Sequence, residues 1–309
     1  MLLVTLQTLI LTDLSGLGSS AKGTRLRSRK EFDVVLVSVK ERRTTSKILE
    51  SFLQSHSKLF KDIESTYRGF TCKCKGYDVD FLPAVDKIDV LSPTTCLHEK
   101  RDRLCSCILR KHPVKKLNST TFAALKETDM HREFSSLVAV LSAQLFQEQV
   151  HPSTKDAILL LKFIVRAAFP PGEKLHRYGA QNAVPPSFLL EYLILHPLKC
   201  LYELQQPHST RTNRTDWLGY EISPHLLFCC ACFEVARVGS IQQNWDHGQY
   251  LSYSSSDSYL TNYFNPLEDV LLRVSNWKPC RDFALTLLKQ YYQLEPYELS
   301  GILLILSFS

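Results

Sequence analysis

The segment that decides the fold is GSSAKGTRLRSRKEFDVVLV, residues 18–37. A small polar turn at Gly18 and Ser19 leads through a basic stretch into an apolar, β-branched run, which predicts a buried strand. Side chains alternate between the two faces of a strand, so Glu31 and Asp33 point the same way where this run begins. Adjacent like charges repel, and a divalent cation relieves that repulsion. The pair therefore indicates either a metal site or, more simply, the solvated end of a strand.

The composition is that of a globular protein with room for a large core. The 309 residues are 44% hydrophobic and 22% charged, and the net charge of +6 is compatible with a phosphate-bearing partner. Ten cysteines are too few for a disulfide scaffold and favour a reducing, cytoplasmic compartment. The apolar start has the length of a signal peptide without its positive region, and the apolar tail is too short to cross a bilayer. We therefore expect no membrane association; nothing indicates an oligomeric state.

Periodicity predicts an α+β fold in which an α/β lobe with a mixed sheet, residues 1–92, precedes a mostly helical lobe, residues 93–309. In the first lobe, apolar positions at helical spacing predict one helix over residues 44–63. Two alternating segments, residues 69–76 and 77–86, are typical of strands.

The second lobe is predicted to consist mainly of helices separated by proline- or glycine-bearing breaks. Five segments have a helical period: residues 133–150, 153–169, 185–195, 223–241 and 280–294. Residues 198–221 and 248–266 are polar and are predicted to be surface loops.

A third carboxylate, Asp80, stands where the apolar part of the last predicted strand begins. Two neighbouring strands, one with Glu31 and Asp33 and the other with Asp80, can place three carboxylates around one point. Such a cluster can hold two Mg²⁺ ions for in-line attack on a nucleoside triphosphate. The turn at Gly18 and Ser19 can cradle the phosphates with its backbone N–H groups.

Segments in consistent order resemble motifs of the 2′-5′-oligoadenylate synthetases, which belong to the polymerase-β-like nucleotidyltransferase superfamily. GSSAKGTRLRSRKEFDVVLV resembles that family's G-S-x-x-x-G-T turn and D-x-D strand, and VDFLPAVD resembles its F-D-V-L-P-A-F-D segment. Later segments resemble its helical lobe: ETDMHREFSSLVAVLSAQLF, AILLLKFIV, VPPSFLLEYL and NPLEDVLLRVSNWKPCRDFA. The resemblance runs from about Gly18 to Gln290.

The resemblance implies adenylyl transfer from ATP to the 2′-hydroxyl of an acceptor adenylate, with release of pyrophosphate, in a cleft between the two lobes. It implies that Glu31, Asp33 and Asp80 bind two Mg²⁺ ions, for which Mn²⁺ can substitute. It further implies that Asp80 activates the acceptor hydroxyl and that Gly18 and Ser19 hold the triphosphate.

The resemblance also implies roles for residues outside the carboxylate cluster. Lys162 would contact phosphate from the helical lobe, unless it is an ordinary surface lysine. Ser187 and Phe188 would bind the nucleotide, with the ring stacked on adenine, unless Phe188 only packs in the core. Lys22 and Lys155 match basic positions that contact double-stranded RNA, the expected stimulator of an enzyme of innate antiviral defence.

Several departures from the family pattern favour other functions. Glu31 replaces an aspartate, Leu159 an arginine and Ser187 a glutamine, while Ala143 and Gln147 replace basic residues. The segment ahead of the Gly-Ser turn is also short, which predicts a divergent, N-terminally shortened member. The alternatives are a catalytically weakened member that binds RNA or protein, and a related nucleotide second-messenger synthase, including a cyclic-dinucleotide synthase.

His225, Cys229, Cys230 and Cys232 raise the separate question of a zinc site. Their spacing is too tight for one ion, because adjacent cysteines on one helix rarely ligate the same metal. Apolar residues alternate with them, so we expect buried free cysteines instead.

Overall fold

The computed structural model describes residues 13–17, 22, 31–38, 42–66, 69–86, 90–92, 94–114, 116–126, 130–169, 184–205, 216–245, 251–254 and 256–292. Contacts divide the chain into two compact units, Met1–Val114 with Ala124–Glu148, and Lys115–Ala123 with Gln149–Ser309. The first unit includes residues on both sides of residue 92. The predicted domain boundary at that residue stays a prediction. The α+β class, with a mixed sheet followed by mostly helical structure, is confirmed.

The first unit is built on a five-stranded sheet with the order β1-β2-β5-β4-β3. Strands β2 and β5 are parallel, and the other neighbouring pairs are antiparallel. The strands are β1 Asp13–Leu17, β2 Glu31–Ser38, β3 Phe60–Ser65, β4 Phe70–Cys74 and β5 Tyr77–Val85. The predicted strands of this lobe correspond to β2, β4 and β5, whereas β1 precedes every predicted element.

The described part of the first unit also contains the helices α1 Arg42–Ser55, α2 Leu97–Lys111 and α4 Met130–Glu148. Helix α1 packs its apolar residues, such as Leu49 and Leu53, with Leu36 and Phe81 of the sheet in one buried cluster. Helix α4 contacts β1 and β5, and α2 packs on α4.

The prediction of one helix over residues 44–63 is wrong beyond Ser55. The chain turns after Ser55, where the backbone N–H of Leu59 donates to the carbonyl of His56, and then continues as β3. Phe60 fitted the helical period, but in β3 it meets the ring of Phe81 edge-on at 5.7 Å. The apolar residues at the end of that segment therefore belong to the sheet.

The second unit contains the helices α5 Pro152–Ala168, α6 Ser187–Gln205, α7 Pro224–Ala236 and α8 Lys278–Tyr292. Helix α3 Ser119–Lys126 begins in this unit, and its residues from Ala124 onward belong to the first unit. The described part of the second unit also contains the short strands β6 Lys116–Leu117, β7 Gln242–Gln243, β8 Ser252–Tyr253, β9 Tyr259–Asn262 and β10 Asn265–Asp269. The five helices predicted for the lobe of residues 93–309 correspond to α4 of the first unit and to α5, α6, α7 and α8 of the second. No helix in the described ranges is both long and apolar enough to cross a membrane.

Both predicted surface loops are wrong in part. Helix α6 continues to Gln205, and Trp217 farther on is buried against Trp245 in a stacked pair at 5.6 Å. The second predicted loop contains β8 and β9 and the start of β10, and every residue of β9 is buried. Aromatic residues account for this burial, since Tyr253 and Tyr259 stack at 5.0 Å.

Candidate active site

Two of the predicted carboxylates are neighbours in the sheet. The parallel register of β2 and β5 pairs Asp33 with Asp80 and Glu31 with Asp78. Adjacent strands lie about 4.7–4.9 Å apart, so paired residues are close. Both Asp33 and Asp80 are half-buried. The two strands thus bring together two side chains that are 47 residues apart in sequence (80 − 33).

Asp33 and Asp80, which we call the acidic pair, lie on the sheet face opposite α1. Leu36 and Phe81 belong to the buried cluster with α1, and alternation then directs Asp33 and Asp80 to the other face. On its second side Asp80 pairs with Thr71 of β4. Strand β4 begins just after Gly69, where an added Cβ would lie 2.0 Å from the carbonyl oxygen of Phe81. Only glycine fits this close approach, and the paired residues Asp33, Asp80 and Thr71 form a polar row across three strands.

The sheet face that packs on α1 is poorly solvated at Cys72, which belongs to the buried cluster there. Burial, followed by the nearby Cys74 and the negative charge of Asp80, raises the pKa of the Cys72 thiol to about 11. Cys72 is therefore a neutral thiol at physiological pH and is no candidate nucleophile.

The other predicted members of the cluster fall largely outside the described residues. Gly18 and Ser19 lie in a range that the structure does not describe. The backbone of Glu31 begins β2, but its side chain is likewise outside the description. The triphosphate turn and the third metal ligand stay predictions.

The acidic pair fits Mg²⁺ in its chemistry. Mg²⁺ takes hard oxygen ligands, commonly one or two carboxylates together with waters and substrate phosphates. Asp33 and Asp80 supply two such carboxylates on adjacent strands. Among the side chains that are described, no group of three or more His, Cys, Asp or Glu could hold a metal ion. The side chain of Glu31, the third predicted carboxylate ligand, lies outside the described part of the chain.

Lys162, the predicted phosphate contact on α5, forms a buried ion pair. Its ammonium donates to Glu191 of α6 at 2.7 Å, and the two side chains are 4% and 3% exposed. The alternative of an exposed surface lysine is therefore wrong. A phosphate contact by Lys162 stays a prediction, and it would compete with Glu191. One sequence signal could have revealed the partner: each residue is a lone charge within an apolar helical run.

Ser187 and Phe188, the predicted nucleotide-binding residues, open helix α6. Both are half-buried. The guanidinium carbon of Arg273 lies 5.8 Å from the ring centroid of Phe188, within the range of a cation–π contact. Phe188 is thus close to a cation as well as half-buried. Neither stacking on adenine nor simple core packing predicted this cation.

The two lysines predicted to contact RNA differ in exposure. Lys22 is only 8% exposed, and its ammonium lies 5.0 Å from the ring centroid of Phe146 on α4. Lys155 is half-buried on α5, two turns before Lys162. Their RNA contacts stay predictions, and Lys155 presents more of its surface to solvent.

The cysteines of α7 are buried and free, as predicted. Burial raises the pKa of Cys229 to about 11, and burial followed by neighbouring thiols raises that of Cys232 to about 12. Cys230 is raised to about 12 mainly by burial as well. His225 is exposed at the start of the same helix, away from this buried environment.

Sequence reasoning missed a buried charge network between α6 and α7. Glu234 is fully buried, with Arg237 Nη2 at 2.9 Å and His196 Nδ1 at 3.4 Å. His196 Nε2 also lies 3.7 Å from the sulfur of Cys200. Burial lowers the pKa of His196, but contacts with Cys200 and Glu234 outweigh it and raise the pKa to about 10. The imidazolium and the carboxylate therefore stabilise each other.

Comparisons with known proteins identify no family for the chain. No protein-family model and no curated protein matches it. Two solved structures of CdnC from E. coli MS115-1 are weakly similar. The CdnC:HORMA-deltaN complex has 15% identity and a TM-score of 0.45, covering 92% of this chain and 78% of that one. CdnC with ATP has 14% identity and a TM-score of 0.46, covering 92% and 77%. Similarity at this level identifies neither a substrate nor a reaction for this chain.

Proposed function

We propose that this protein is a metal-dependent nucleotidyltransferase that uses ATP. The observation that carries the proposal is the parallel register that pairs Asp33 with Asp80 on one face of a mixed sheet. Two carboxylates at adjacent, half-buried positions repel each other unless a cation or a proton intervenes. Phosphoryl-transfer chemistry uses such a pair to hold metal ions against a triphosphate.

In the proposed reaction a hydroxyl oxygen of the acceptor attacks the α-phosphorus of ATP. The new oxygen–phosphorus bond forms as the bond to the bridging oxygen breaks, and pyrophosphate leaves. Asp80 accepts the proton of the attacking hydroxyl, and Asp33 with Glu31 completes the oxygen ligands. Bound Mg²⁺ would neutralise the charge that develops on the phosphates. Gly18 and Ser19 are proposed to hold the triphosphate.

The finer proposal is that the acceptor is the 2′-hydroxyl of an adenylate and that double-stranded RNA stimulates the reaction. Its support is the ordered series of motifs that resembles the oligoadenylate synthetases. Lys162, Ser187 and Phe188 are proposed to contact the nucleotide, and Lys22 and Lys155 the RNA. A role in antiviral defence would follow from that activity.

Pyrophosphate release from ATP tests this function directly. The native protein is assayed with Mg²⁺ or Mn²⁺, with and without double-stranded RNA, beside the double variant Asp33→Asn with Asp80→Asn. We expect metal-dependent release that the double variant lowers by at least about a hundredfold. Asp62→Asn is the matched control, because Asp62 lies exposed in the same sheet and pairs with Lys73. Equal turnover by the native protein and the double variant would rule the proposal out.

A second candidate function is that of a binding module that has kept the fold and lost the chemistry. The buried ion pair of Lys162 favours it, because Glu191 already occupies the cation that would contact phosphate. Double-stranded RNA bound by a protein that releases no pyrophosphate under any of the tested conditions would support this candidate. Analysis of product linkage would distinguish the 2′-5′ synthetase from a second-messenger synthase of another type.

A further inference from the structure

Arg273 links the ring of Phe188 to a polar network inside the second unit. Its guanidinium carbon is 5.8 Å from the ring centroid, and its Nη2 donates to Glu268 Oε1 at 2.5 Å. One end of the guanidinium is thus held by a carboxylate while its plane lies near an aromatic ring. Arginine is suited to this double task, because its planar fork combines directed hydrogen bonds with cation–π contacts.

Glu268 is in turn held from within the unit. Its Oε2 accepts a hydrogen bond from Asn262 Nδ2 at 2.9 Å, and Asn262 Oδ1 accepts one from the Tyr192 hydroxyl at 2.9 Å. The Tyr192 oxygen accepts the backbone N–H of Tyr263 at 3.0 Å. Phe188 and Tyr192 are four residues apart on α6 and share one face of the helix. The network therefore connects two residues, Phe188 and Tyr192, on the same face of α6.

Burial decreases steadily along this network toward Phe188. Asn262 is 5% exposed, Glu268 is 12% exposed and Arg273 is 33% exposed in its side chain. Burial, with the nearby charges of Glu268 and Glu191, raises the pKa of Tyr192 above its usual value despite the backbone hydrogen bond. The Tyr192 hydroxyl therefore keeps its proton and remains a donor. At its inner end the network is fixed by the hydrogen bonds of Tyr192. At its outer end Arg273 and the half-buried ring of Phe188 are partly exposed to solvent.

A rigidly held aromatic ring at a partly exposed position is a surface on which a nucleobase can stack. Stacking on a fixed ring loses less conformational entropy than stacking on a mobile one. Ordinary core packing would require neither a charged residue over the ring nor a second charge to hold that residue.

We propose that Arg273 is a positioning residue that, held by Glu268, fixes the ring of Phe188 as a stacking platform for the purine base of a nucleotide. This inference rests on the proposed function for the identity of the ligand. Purines present a larger ring system than pyrimidines, so the platform favours ATP over CTP.

The test measures equilibrium binding of ATP and CTP, in the presence of Ca²⁺, to the full-length protein. We expect Arg273→Gln to weaken ATP binding about tenfold and CTP binding less, so that base selectivity falls. Arg273→Lys keeps a cation and should restore part of the affinity. Glu268→Gln should act in the same direction as Arg273→Gln. Lys278→Gln, an exposed site on α8, is the control and should bind as the native protein does.

A double-mutant cycle separates positioning from a merely structural role. Phe188→Leu should lose ATP affinity, and adding Arg273→Gln to it should cost little more, since Arg273 acts through the ring. In turnover, Arg273→Gln should raise KM for ATP and leave kcat nearly unchanged.

The inference and the proposed function fail in different ways. Suppose that the native protein binds ATP and that Arg273→Gln binds both ATP and CTP with native affinity. The network is then only structural, and the inference is overturned. If the native protein binds no nucleotide under any condition, the proposed function fails and the inference with it.

Discussion

The acidic pair of the first unit and the buried ion pairs of the second place charged side chains next to one another in opposite ways. In the first unit, the register of β2 and β5 sets Asp33 beside Asp80, so like charges are neighbours. In the second unit, opposite charges are neighbours in the core: Lys162 meets Glu191 at 2.7 Å, and Glu234 meets Arg237 at 2.9 Å.

This difference indicates which charges serve the fold. A buried charge is tolerated when an opposite charge and hydrogen bonds compensate its desolvation. Glu191 and Glu234 meet that condition and therefore have a structural reason for their positions. Two aspartates at adjacent strand positions gain nothing for the fold from each other, because directly opposed like charges destabilise a sheet. The proposed metal site would supply a reason for placing these two carboxylates together.

The largest expected effect on stability comes from removing the carboxylate of Glu191 in the second unit, and it is compared with removal of the carboxylate of Asp80 in the first. Glu191→Gln should lower the free energy of unfolding by about 3–5 kcal/mol, because it leaves Lys162 buried without its counter-charge. Asp80→Asn should leave that free energy unchanged or raise it by a few tenths of a kcal/mol, because it relieves repulsion. Denaturant titration of the two variants beside the native protein measures both values. A larger loss of unfolding free energy for Asp80→Asn than for Glu191→Gln would contradict this distinction between the two sites.

Removing both partners of the ion pair should be milder than removing one. Lys162→Met with Glu191→Leu replaces the pair by apolar groups of similar size and should recover most of the loss caused by Glu191→Gln. Pyrophosphate release by this stable double variant then separates the two roles of Lys162. Retained turnover with ATP would show that Lys162 is structural, and a loss at unchanged stability would support the predicted phosphate contact.

Much of the first unit could be predicted from the sequence because its elements have strong local patterns. The β-branched run of β2 and the alternation in β4 and β5 are properties of single short segments. Where two patterns overlap, as at Phe60, local periodicity gave a helix while contact with Phe81 favoured a strand. Strand β9 was missed because Tyr259 and its neighbours have a loop-like composition, and their burial depends on partners far along the chain.

The candidate site was predictable to a similar extent and for the same reason. Alternation along β2 and β5 was enough to place Asp33 and Asp80 on faces that could meet. The partners of the helical residues were not predictable in this way, because Glu191 is 29 residues from Lys162 and Arg273 is 85 residues from Phe188 (273 − 188). Those contacts depend on how whole helices pack.

The second unit's charges should also give stability a measurable pH dependence. The pKa of His196 is raised to about 10, above its usual 6.5, so its protonated form stabilises the fold. That contribution is complete below pH 6.5 and is lost as pH rises toward 10. The Tm of the native protein should fall between pH 6.5 and about 7.5, a window below the ordinary thiol pKa of about 8.5. His196→Gln should be less stable at pH 6.5 and should show a flatter profile, and an equally steep one would contradict this assignment.

The smallest expected effect concerns RNA. Lys155→Gln should weaken binding of double-stranded RNA a few-fold and reduce the dependence of log Kd on log salt by about one unit. Lys22→Gln should change this slope less, because Lys22 is 8% exposed. Lys47→Gln, an exposed site on α1, is the control for a general loss of positive charge. A salt dependence that neither Lys155→Gln nor Lys22→Gln alters would show that RNA contacts other residues.

Binding of a divalent metal by Asp33 and Asp80 is the property on which the proposed function depends most directly. Mn²⁺ is titrated calorimetrically into the native protein with a non-hydrolysable ATP analogue, and into Asp33→Asn with Asp80→Asn and Asp62→Asn in parallel. We expect saturable Mn²⁺ binding by the native protein and Asp62→Asn, weakened on the order of a hundredfold in the double variant. Equal Mn²⁺ affinity in all three proteins, or none in the native protein, would contradict this expectation.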